Sequence, residues 1–232
     1  MSGAGISIVI PVLNEAGAIV HLLERLQGFR RTGAEIIVVD GGSVDHTQRL
    51  AGGLADRIVA AGRGRGRQMN AGAAVAKGDV FVFLHADTSL PAAALTLIGD
   101  AVADGATWGR FDVRIDGSPT GLRLVALMMN WRSRLTGIAT GDQAIFVTRE
   151  AFLCIGGFRE IALMEDIVLS RELRARAWPA CFRDRVTTSG RRWERNGLLR
   201  TVLTMWWLRL RFRFGASPDD LARAYGYVPD DR

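Results

Sequence analysis

Lysine is almost absent from this chain of 232 residues, although the chain is basic. Lys77 is the single lysine, so 29 of the 30 lysine and arginine residues are arginine, and the formal net charge is +6. A GC-rich genome also produces such a skew, so the basic pI of about 10.5 is poor evidence for nucleic-acid binding. It favours an anionic partner, either phosphates or an anionic membrane surface.

Cysteine and long apolar runs are also scarce. Cys154 and Cys181 lack the spacing of a metal site, and we expect two buried free thiols in a reducing compartment. The first residues carry no basic region and no cleavage site, so no secretory signal is expected. The longest apolar stretch near the C-terminus, "LLRTVLTMWWLRLRF", is broken by arginines and falls short of the ~20 residues of a membrane span. These features predict a cytoplasmic protein. They also allow peripheral contact with the inner face of the membrane.

Apolar strands and helix-spaced segments alternate through the first hundred residues. Strands are predicted at 6–13, 57–62 and 79–87, with helices at 14–29 and 66–78. Residues 34–54 repeat the pattern as a strand, a Gly-rich turn and a helix. This alternation predicts an α/β fold with a mostly parallel sheet flanked by helices. We expect one domain at 1–197, with a nucleotide half to about residue 105 and an acceptor half from about 106, followed by a C-terminal helical appendage at 198–232.

Polar residues follow three of the predicted strands, at Asn14–Glu15, Asp40–Ser43 and His85–Asp87. The carboxyl ends of parallel strands meet at one edge of a sheet, so these residues are expected to share a crevice. Helix N-capping explains Asn14, Ser43 or Asp45 taken singly. Capping does not explain why three strand ends carry such residues, and a ligand site does.

Six segments in order resemble the inverting, GT-A-type glycosyltransferases of family 2. They span about residues 6–195 and read "IVIPVLNE", "VVDGGSVDHT", "RGRGRQMNAGAAVAKGD", "FLHAD", "LMEDIVLSREL" and "TSGRRW". A narrower resemblance, through "FLHADTSLP", "WGRFDVRI" and "GDQAIFV", is to a bacterial subfamily associated with arsenosugar biosynthesis and radical-SAM neighbours. That association comes from genome context and implies a substrate only indirectly.

The resemblance implies a nucleotide-sugar donor linked to UDP or GDP, a divalent metal (Mn or Mg), and a hydroxyl acceptor that the sequence does not identify. It implies that Asp166 is the general base, that Glu165 orients it, and that Asp142 and Gln143 lie on the acceptor side. The residues implied for the nucleotide-sugar site are Pro11, Asn14, Glu15, Asp40, Gly41, Ser43, Arg67, Asn70, His85, Ala86, Asp87, Arg191, Arg192 and Trp193. Among them, Asp40 is expected to contact the base and Asp87 the metal.

The sequence departs from the family pattern at two places. His85 replaces the first aspartate of the Asp-x-Asp element, and Ser189 replaces the glutamine of the Gln-x-x-Arg-Trp element. On a strand, residues 85 and 87 share a face. Mg²⁺ prefers oxygen ligands, whereas Mn²⁺ tolerates imidazole better. We favour Asp87 as the metal ligand, with His85 reaching ribose or phosphate, over direct binding of the metal by His85.

Two other functions fit the same layout. A sugar-1-phosphate nucleotidyltransferase would carry a basic, Gly-rich loop after the first strand, and "PVLNEAG" has no basic residue there. A non-catalytic nucleotide-sugar-binding module would be expected to lose the base, and Asp166 is present. "GRGRGR" is the one segment that suggests nucleic acid, and no nucleic-acid-binding signature accompanies it.

The C-terminal segment 198–214 is a predicted helix that is not cleanly amphipathic. Its broad apolar face comprises Leu199, Val202, Leu203, Trp206, Trp207, Leu210 and Phe214. We expect this face to pack against the catalytic domain or to form a homodimer. The alternative is peripheral membrane contact, which the paired tryptophans and flanking arginines suit.

Overall fold

The chain folds around one twisted sheet of eight strands. The structure is a computed structural model, and it describes residues 5–118 and 121–227. The strands are, in chain order, β1 Ile6–Val12, β2 Glu35–Asp40, β3 Arg57–Ala60, β4 Val80–Phe83, β5 Thr88–Ser89, β6 Trp108–Asp116, β7 Ile145–Thr148 and β8 Ala180–Ser189.

Helices cover the sheet, and several of them follow a strand directly. They are, in chain order, α1 Ile19–Arg31, α2 Thr47–Ala51, α3 Arg65–Val75, α4 Ala94–Ala103, α5 Leu122–Thr136, α6 Arg149–Cys154, α7 Glu165–Arg174, α8 Arg191–Asn196, α9 Leu198–Arg213 and α10 Pro218–Ala224. A 3-10 turn covers Gly141–Gln143. The predicted α/β class is therefore confirmed.

The strand order is β3-β2-β1-β4-β7-β6-β8-β5. The pairs β1–β2, β1–β4, β2–β3 and β6–β8 are parallel, whereas β4–β7, β6–β7 and β5–β8 are antiparallel. The junction of β4 with β7 joins the predicted nucleotide half to the acceptor half in one sheet. The carboxyl ends of β1, β2 and β4 therefore lie at one edge, facing residues contributed by the second half. The division near residues 105 and 197 stays a prediction.

The first strands are buried on both faces, as their unbroken apolar runs predict. In β1, Ile8 and Ile10 point into one core cluster and Val9 into the other. The same alternation in β2 sends Ile36 to the first cluster and Ile37 to the second. The helices on both faces of the sheet therefore pack on apolar side chains. The polar residues of this part of the chain lie at the ends of the strands.

Several predicted boundaries were wrong. Helix α1 begins at Ile19 and not at residue 14, because Asn14 has a φ of 55° and the following residues form a turn. Strand β4 ends at Phe83, so His85 and Asp87 lie in the connection to β5 and not on a strand face. Cys154 is exposed and Cys181 partly buried, where two buried thiols were expected.

Helix α9 turns its broad apolar face outward, against the expectation that this face packs on the catalytic domain. Leu199, Leu203 and Trp206 are exposed, whereas Leu208, on the opposite side, is buried. Leu208 and α10 form a cluster with the segment that precedes α7. In the described ranges, no helix combines the length and the apolar character that crossing a bilayer needs.

Two helical glycines provide a test of the packing of α3 on the sheet. A Cβ at Gly72 would lie 2.4 Å from Val9 Cγ1 and 2.9 Å from Val39 Cγ2, whereas a Cβ at Gly99 in α4 would meet nothing within 4 Å. Gly72→Ala is expected to lower the free energy of unfolding by about 1–3 kcal/mol through overpacking. Gly99→Ala is expected to raise it by about 0.5–1 kcal/mol. Urea denaturation of both variants would contradict this packing if the two changes had the same sign.

Candidate active site

A cavity of about 500 Å³ opens at the carboxyl ends of β1 and β4. Its wall combines residues from both ends of the chain, and its polar lining consists of Glu15, Arg65, Gln68, His85, Asp87, Thr140, Asp142, Glu165, Asp166, Thr188, Ser189, Arg192, Arg209, Tyr225 and Tyr227. Pro11, Ala86 and Trp193 also line it. The cavity therefore brings together side chains from near the start of the chain, such as Pro11, and from near its end, such as Tyr227.

Hydrogen bonds tie the loop after β1 to the loop after β2. Asn14 Oδ1 accepts from the backbone N–H of Val44 at 2.9 Å, and the N–H of Asn14 donates to Ser43 Oγ at 2.9 Å. The N–H of Glu15 donates to Thr47 Oγ1 at 2.8 Å. The loop after β1 is therefore held in place by side chains of the second loop.

The N-capping interpretation fits Asp45 but not Asn14 or Ser43. Asp45 Oδ1 accepts from the backbone N–H of Thr47, the first residue of α2, at 2.9 Å. Its Oδ2 accepts from the backbone N–H of Ala16 at 3.1 Å, which is a further bond between the two loops. Asn14 and Ser43 bond across the two loops, and the N-cap residue of α1, Ala18, makes no side-chain capping bond.

Asp40 is buried at the end of β2, and protein donors occupy its carboxylate. The N–H groups of Gly42 and Ser43 donate to Oδ2 at 3.0 Å each, Gln48 Nε2 donates to Oδ2 at 2.7 Å, and Ser43 Oγ donates to Oδ1. Burial opposes ionisation, but these hydrogen bonds outweigh it and lower the pKa of Asp40. Asp40 is absent from the lining of the cavity, and its contact with a nucleobase stays a prediction.

Gln68 of α3 fixes the spacing of β1 and β2 beside the cavity. Its Nε2 donates to the carbonyl oxygens of Val12 and Val39 at 2.8 Å each. Gly41 makes this possible, because a Cβ there would lie 2.9 Å from Gln68 Cδ. Gly41 was predicted to lie at the nucleotide-sugar site, and in the structure it makes room for the side chain of Gln68.

His85 faces the turn that carries Asp142. Its Nδ1 lies 3.4 Å from Asp142 Oδ1, and its ring lies across Gly141, where a Cβ would be 2.3 Å from His85 Nε2. Burial lowers the pKa of His85, but the hydrogen bond and charge of Asp142 outweigh it and raise the pKa. Burial raises the pKa of Asp142, and the hydrogen bond from His85 outweighs it, so the net shift is downward. The imidazole of His85 and the carboxylate of Asp142 therefore face each other in the cavity wall.

Two carboxylates, Glu15 and Asp87, lie close together near His85. Burial raises the pKa of Glu15, and the charge of Asp87 raises it further. Asp87 is exposed, and Thr88 Oγ1 lies 3.3 Å from its Oδ1. In the described ranges, no group of three or more His, Cys, Asp or Glu side chains is arranged to hold a metal. The residues fit a divalent ion held at Asp87 that draws its other ligands from a phosphorylated substrate and water.

Glu165 begins α7 as a buried carboxylate. It is 2% exposed, its Oε1 lies 3.0 Å from Arg65 Nε, and its Oε2 has no hydrogen-bond partner within the described part of the chain. Burial raises the pKa of Glu165, and the charge of Arg65 opposes that shift. The preceding residue, Met164, adopts a left-handed φ of 75°. Such backbone strain is concentrated at functional sites.

Asp166 is half-buried and lines the cavity next to Glu165. Its Oδ2 accepts from the N–H of Gly141 at 2.9 Å, and its Oδ1 accepts from the N–H of Ile167 at 2.7 Å. These bonds fix the rotamer of the carboxylate, and each oxygen keeps a second lone pair for a ligand.

Eight of the predicted site residues are absent from the lining of the cavity, namely Asn14, Asp40, Gly41, Ser43, Arg67, Asn70, Gln143 and Arg191. Arg67 is half-exposed and pairs with Glu160 at 3.2 Å. Asn70 exchanges two hydrogen bonds of 2.9 Å with the backbone of Phe158. Gln143 is fully buried and closes the 3-10 turn. Their predicted contacts with donor and acceptor stay predictions.

The segment after β8 contributes to the site as the Arg-Arg-Trp motif suggests. Arg192 and Trp193 line the cavity, and Arg192 lies over the ring of Tyr225 at 4.5 Å. Arg191 is exposed, donates from Nε to Ser189 Oγ at 3.0 Å, and its charge opposes the rise in the pKa of Glu15.

Several lining residues were missed from the sequence. Arg65 and Gln68 lie three residues apart on α3 and share a face that lines the cavity. Helical spacing could have predicted that these two residues, and not Arg67 between them, point the same way. Arg209, Tyr225 and Tyr227 come from the C-terminal segment. No local pattern distinguishes them from the rest of that segment.

Arg132 of α5 and Arg209 of α9 are close enough for the charge of one to affect the other. Arg209 lines the cavity, and burial lowers its pKa. Burial and the charge of Arg209 also lower the pKa of Arg132 to about 10. Arg132 Nε and Nη2 are buried and have no hydrogen-bond partner in the described ranges.

Sequence comparison identifies one family and one distant relative. The family model described as Glycosyl transferase family 2 matches residues 7–159. An undecaprenyl-phosphate 4-deoxy-4-formamido-L-arabinose transferase of Pseudomonas paraeruginosa is 30% identical over 178 residues, which cover 72% of this chain and 50% of that protein. The chain therefore spans about half the length of this relative.

Structure comparison finds similar folds among glycosyltransferases. TarS of S. aureus, residues 1–349, in complex with UDP-GlcNAc, has a TM-score of 0.64 at 15% identity, covering 80% of this chain and 58% of TarS. The mannosyltransferase PcManGT of Pyrobaculum calidifontis, in complex with GDP-Man and Mn²⁺, has a TM-score of 0.63 at 19% identity, covering 97% of this chain and 70% of that protein. The fold is thus of the predicted GT-A type.

The hydrogen bonds to Asp40 predict how its loss depends on pH. Asp40→Asn replaces one acceptor oxygen with a donor and is expected to lower the free energy of unfolding at pH 7 by about 2 kcal/mol. Because the folded-state pKa is lowered, the stability from the ionised carboxylate is present above the ordinary pKa near 3.9 and is lost below it. The difference from the parent protein should therefore shrink as the pH falls below about 4.

Chemical denaturation at pH 7 and at lower pH values measures this difference. Asp184→Asn, at an exposed position of β8, is the control and is expected to leave stability unchanged. An equal difference between Asp40→Asn and the parent at every pH would contradict the assignment.

Proposed function

Because the chain belongs to glycosyl transferase family 2, we propose that it transfers a sugar from a nucleotide-diphosphate donor to a hydroxyl group, with inversion at the anomeric carbon. The observation that carries the proposal is the cavity itself. It brings Glu15 and Asp87, at the ends of β1 and β4, together with Glu165–Asp166 at the start of α7. Family membership also favours this reaction over nucleotidyl transfer and over a non-catalytic role.

The donor is proposed to be a UDP- or GDP-linked sugar, the class bound by the two solved structures named above. Its nucleoside would lie against Pro11 and the bonded loops after β1 and β2. Since those loops are held by hydrogen bonds to each other, little ordering would be needed on binding.

The diphosphate would lie beside Asp87, Arg192 and His85. A divalent ion held by Asp87 would supply Lewis-acid neutralisation of the leaving diphosphate. Arg192 would add positive charge where negative charge develops, and His85 would donate a hydrogen bond there. We assign His85 to the phosphates, because its Nδ1 already faces Asp142.

Asp166 is proposed as the general base. The acceptor oxygen attacks the anomeric carbon as its proton passes to Asp166, and the bond from that carbon to the diphosphate oxygen breaks. The nucleoside diphosphate leaves with the electron pair of that bond. Glu165 would act as a positioning residue: its pair with Arg65 holds the start of α7 beside the turn that donates to Asp166.

Two finer statements belong to the same proposal. The narrower resemblance points to the subfamily associated with arsenosugar biosynthesis, and product analysis with a panel of nucleotide sugars tests it. We also propose a cytoplasmic site of action, because a nucleotide-sugar donor and the free thiol of Cys154 both suit a reducing compartment.

The base assignment predicts a selective loss of turnover. Asp166→Asn keeps the acceptor oxygen for Gly141 but cannot take up a proton, so sugar transfer is expected to fall by about 100-fold or more. Donor affinity, measured by calorimetry, should stay unchanged. Asp100→Asn, at an exposed position of α4, is the control. Transfer by Asp166→Asn at the parent rate would overturn the assignment.

The metal assignment predicts opposite effects with and without the ion. In Mn²⁺, Asp87→Asn is expected to weaken binding of UDP or GDP by about 10-fold or more, because the ion loses a charged ligand. In EDTA, the same variant should bind the nucleotide as tightly as the parent or more tightly, since a negative charge beside the diphosphate is gone. Isothermal calorimetry under both conditions measures this. Equal losses in both would show that Asp87 does not act through a metal.

A further inference from the structure

Helices α5 and α9 lie side by side and run in the same direction. Near their first residues, a Cβ at Gly121 would lie 3.1 Å from Leu198 Cδ1. Two turns further along each helix, Met129 and Met205 both line the cavity. The inner faces of both helices pack on the same core cluster. Their outer faces therefore belong to one layer of the molecule.

These outer faces are apolar. Helix α5 exposes a stripe at helical spacing, comprising Leu124, Leu127, Met128, Trp131 and Leu135. Helix α9 and the residue after it expose Leu199, Leu203, Trp206, Trp207, Leu210 and Phe214. We call this set of side chains the α5–α9 face. Clusters of large apolar side chains of this extent are uncommon on monomers and mark interaction sites.

The same two helices are strongly basic. Helix α5 contains three arginines and α9 contains four, and neither contains Asp or Glu. Arg123, Arg200, Arg211 and Arg213 are exposed. The guanidinium of Arg211 lies 5.1 Å from the ring centroid of Trp207. Apolar and cationic side chains therefore alternate on this surface, and nothing within the helices neutralises the charge.

We propose that the α5–α9 face docks on an anionic lipid bilayer, with both helices lying in the plane of the interface. Tryptophan and leucine would enter the boundary between headgroups and acyl chains, and the arginines would contact anionic headgroups. The docking is independent of the proposed reaction.

The charge of the face argues against a second copy of the chain as its occupant. A two-fold interface sets the same patch against itself, so the arginines of one copy would face those of the other. Like charges held together in this way oppose association. An anionic bilayer complements both the apolar and the cationic parts of the face.

Docking would place the acceptor side of the cavity at the bilayer. The inner faces of the same helices supply Met129, Met205, Leu208 and Arg209 to the cavity wall. A hydroxyl of a lipid-linked acceptor would then reach Asp166 from the membrane side. This link to the acceptor rests on the proposed function.

Vesicle flotation of the full chain tests the docking. The vesicles are phosphatidylcholine alone, or phosphatidylcholine mixed with phosphatidylglycerol, each at low and at high salt. The parent protein is expected to float with the anionic vesicles at low salt and to dissociate as salt rises. Arg200→Gln combined with Arg211→Gln should lower the partition coefficient about five-fold for each arginine removed.

Matched tryptophan variants test the apolar contact. Trp131→Gln combined with Trp206→Gln alters two side chains that are 66% and 63% exposed, and it should lower binding about ten-fold or more. Trp178→Gln, at a position that is 59% exposed outside the two helices, should bind as the parent does. Thermal unfolding and calorimetry with UDP or GDP check that each variant is folded and keeps the donor site.

The outcomes separate the two proposals. Absence of flotation by the parent at low salt, or equal flotation of the double-tryptophan and Trp178→Gln variants, would overturn the docking. So would a dimer of the parent in analytical ultracentrifugation that becomes monomeric in the double-tryptophan variant, because the face would then join two copies. Failure of the parent to bind any nucleotide would overturn the proposed function and leave the vesicle result unaffected.

Discussion

The site depends on the close contact between α3 and the segment that leads into α7. A Cβ at Gly66 would lie 2.5 Å from the carbonyl oxygen of Arg159, so α3 approaches that segment backbone to backbone. This approach lets Arg65 reach Glu165 at 3.0 Å and neutralise a carboxylate that is buried next to Asp166. Without the arginine, burial would favour the protonated form of Glu165. The ion pair therefore opposes the protonation that burial favours and holds the start of α7 in position.

A second constraint shapes the opposite wall of the cavity. The polar residues after β1 and β2 satisfy one another, since Asn14 bonds to the loop that carries Ser43, and Asp40 collects the donors of its own turn. Asn14, Asp40 and Ser43, which were predicted to bind the nucleotide sugar, therefore hold the two loops in place. The lining is left to their neighbours Pro11, Glu15 and Gln68. Such a wall is rigid before any ligand arrives, which lowers the ordering needed for binding.

The sequence predicted the parts of this arrangement that depend on local patterns. The unbroken apolar runs of β1 and β2, and the placement of His85, Asp87 and Glu165–Asp166 around one crevice, follow from strand periodicity and from the family resemblance. The start of α1 was misplaced, because only the backbone shows that Asn14 has a positive φ. The start of helix α10 also has a local signal in the sequence, with Ser217 as the N-cap and Pro218 as the first helical residue.

The contributions of Arg65 and Arg209 could not be read from the sequence, because they depend on contacts between distant segments. Arg65 is one of three arginines in "GRGRGR", and only its contact with Glu165, a hundred residues away, distinguishes it from Arg67. Arg209 lies in a helix whose weak amphipathicity left its orientation open. The face expected to be buried is exposed, because Leu208 and α10 attach the other side to the segment before α7.

The order of synthesis determines when each part of the cavity wall can form. The last strand of the sheet ends at Ser189, whereas Arg209 and Tyr225 complete the cavity wall only after α9 and α10 have left the ribosome. At the usual rate of translation, this gap lasts about a few seconds. In that interval a nascent chain can assemble its sheet and the loops of the donor side while the acceptor side is still open. Helix α9 is synthesised in the same interval, so the basic apolar surface is completed only after the last strand of the sheet has been made.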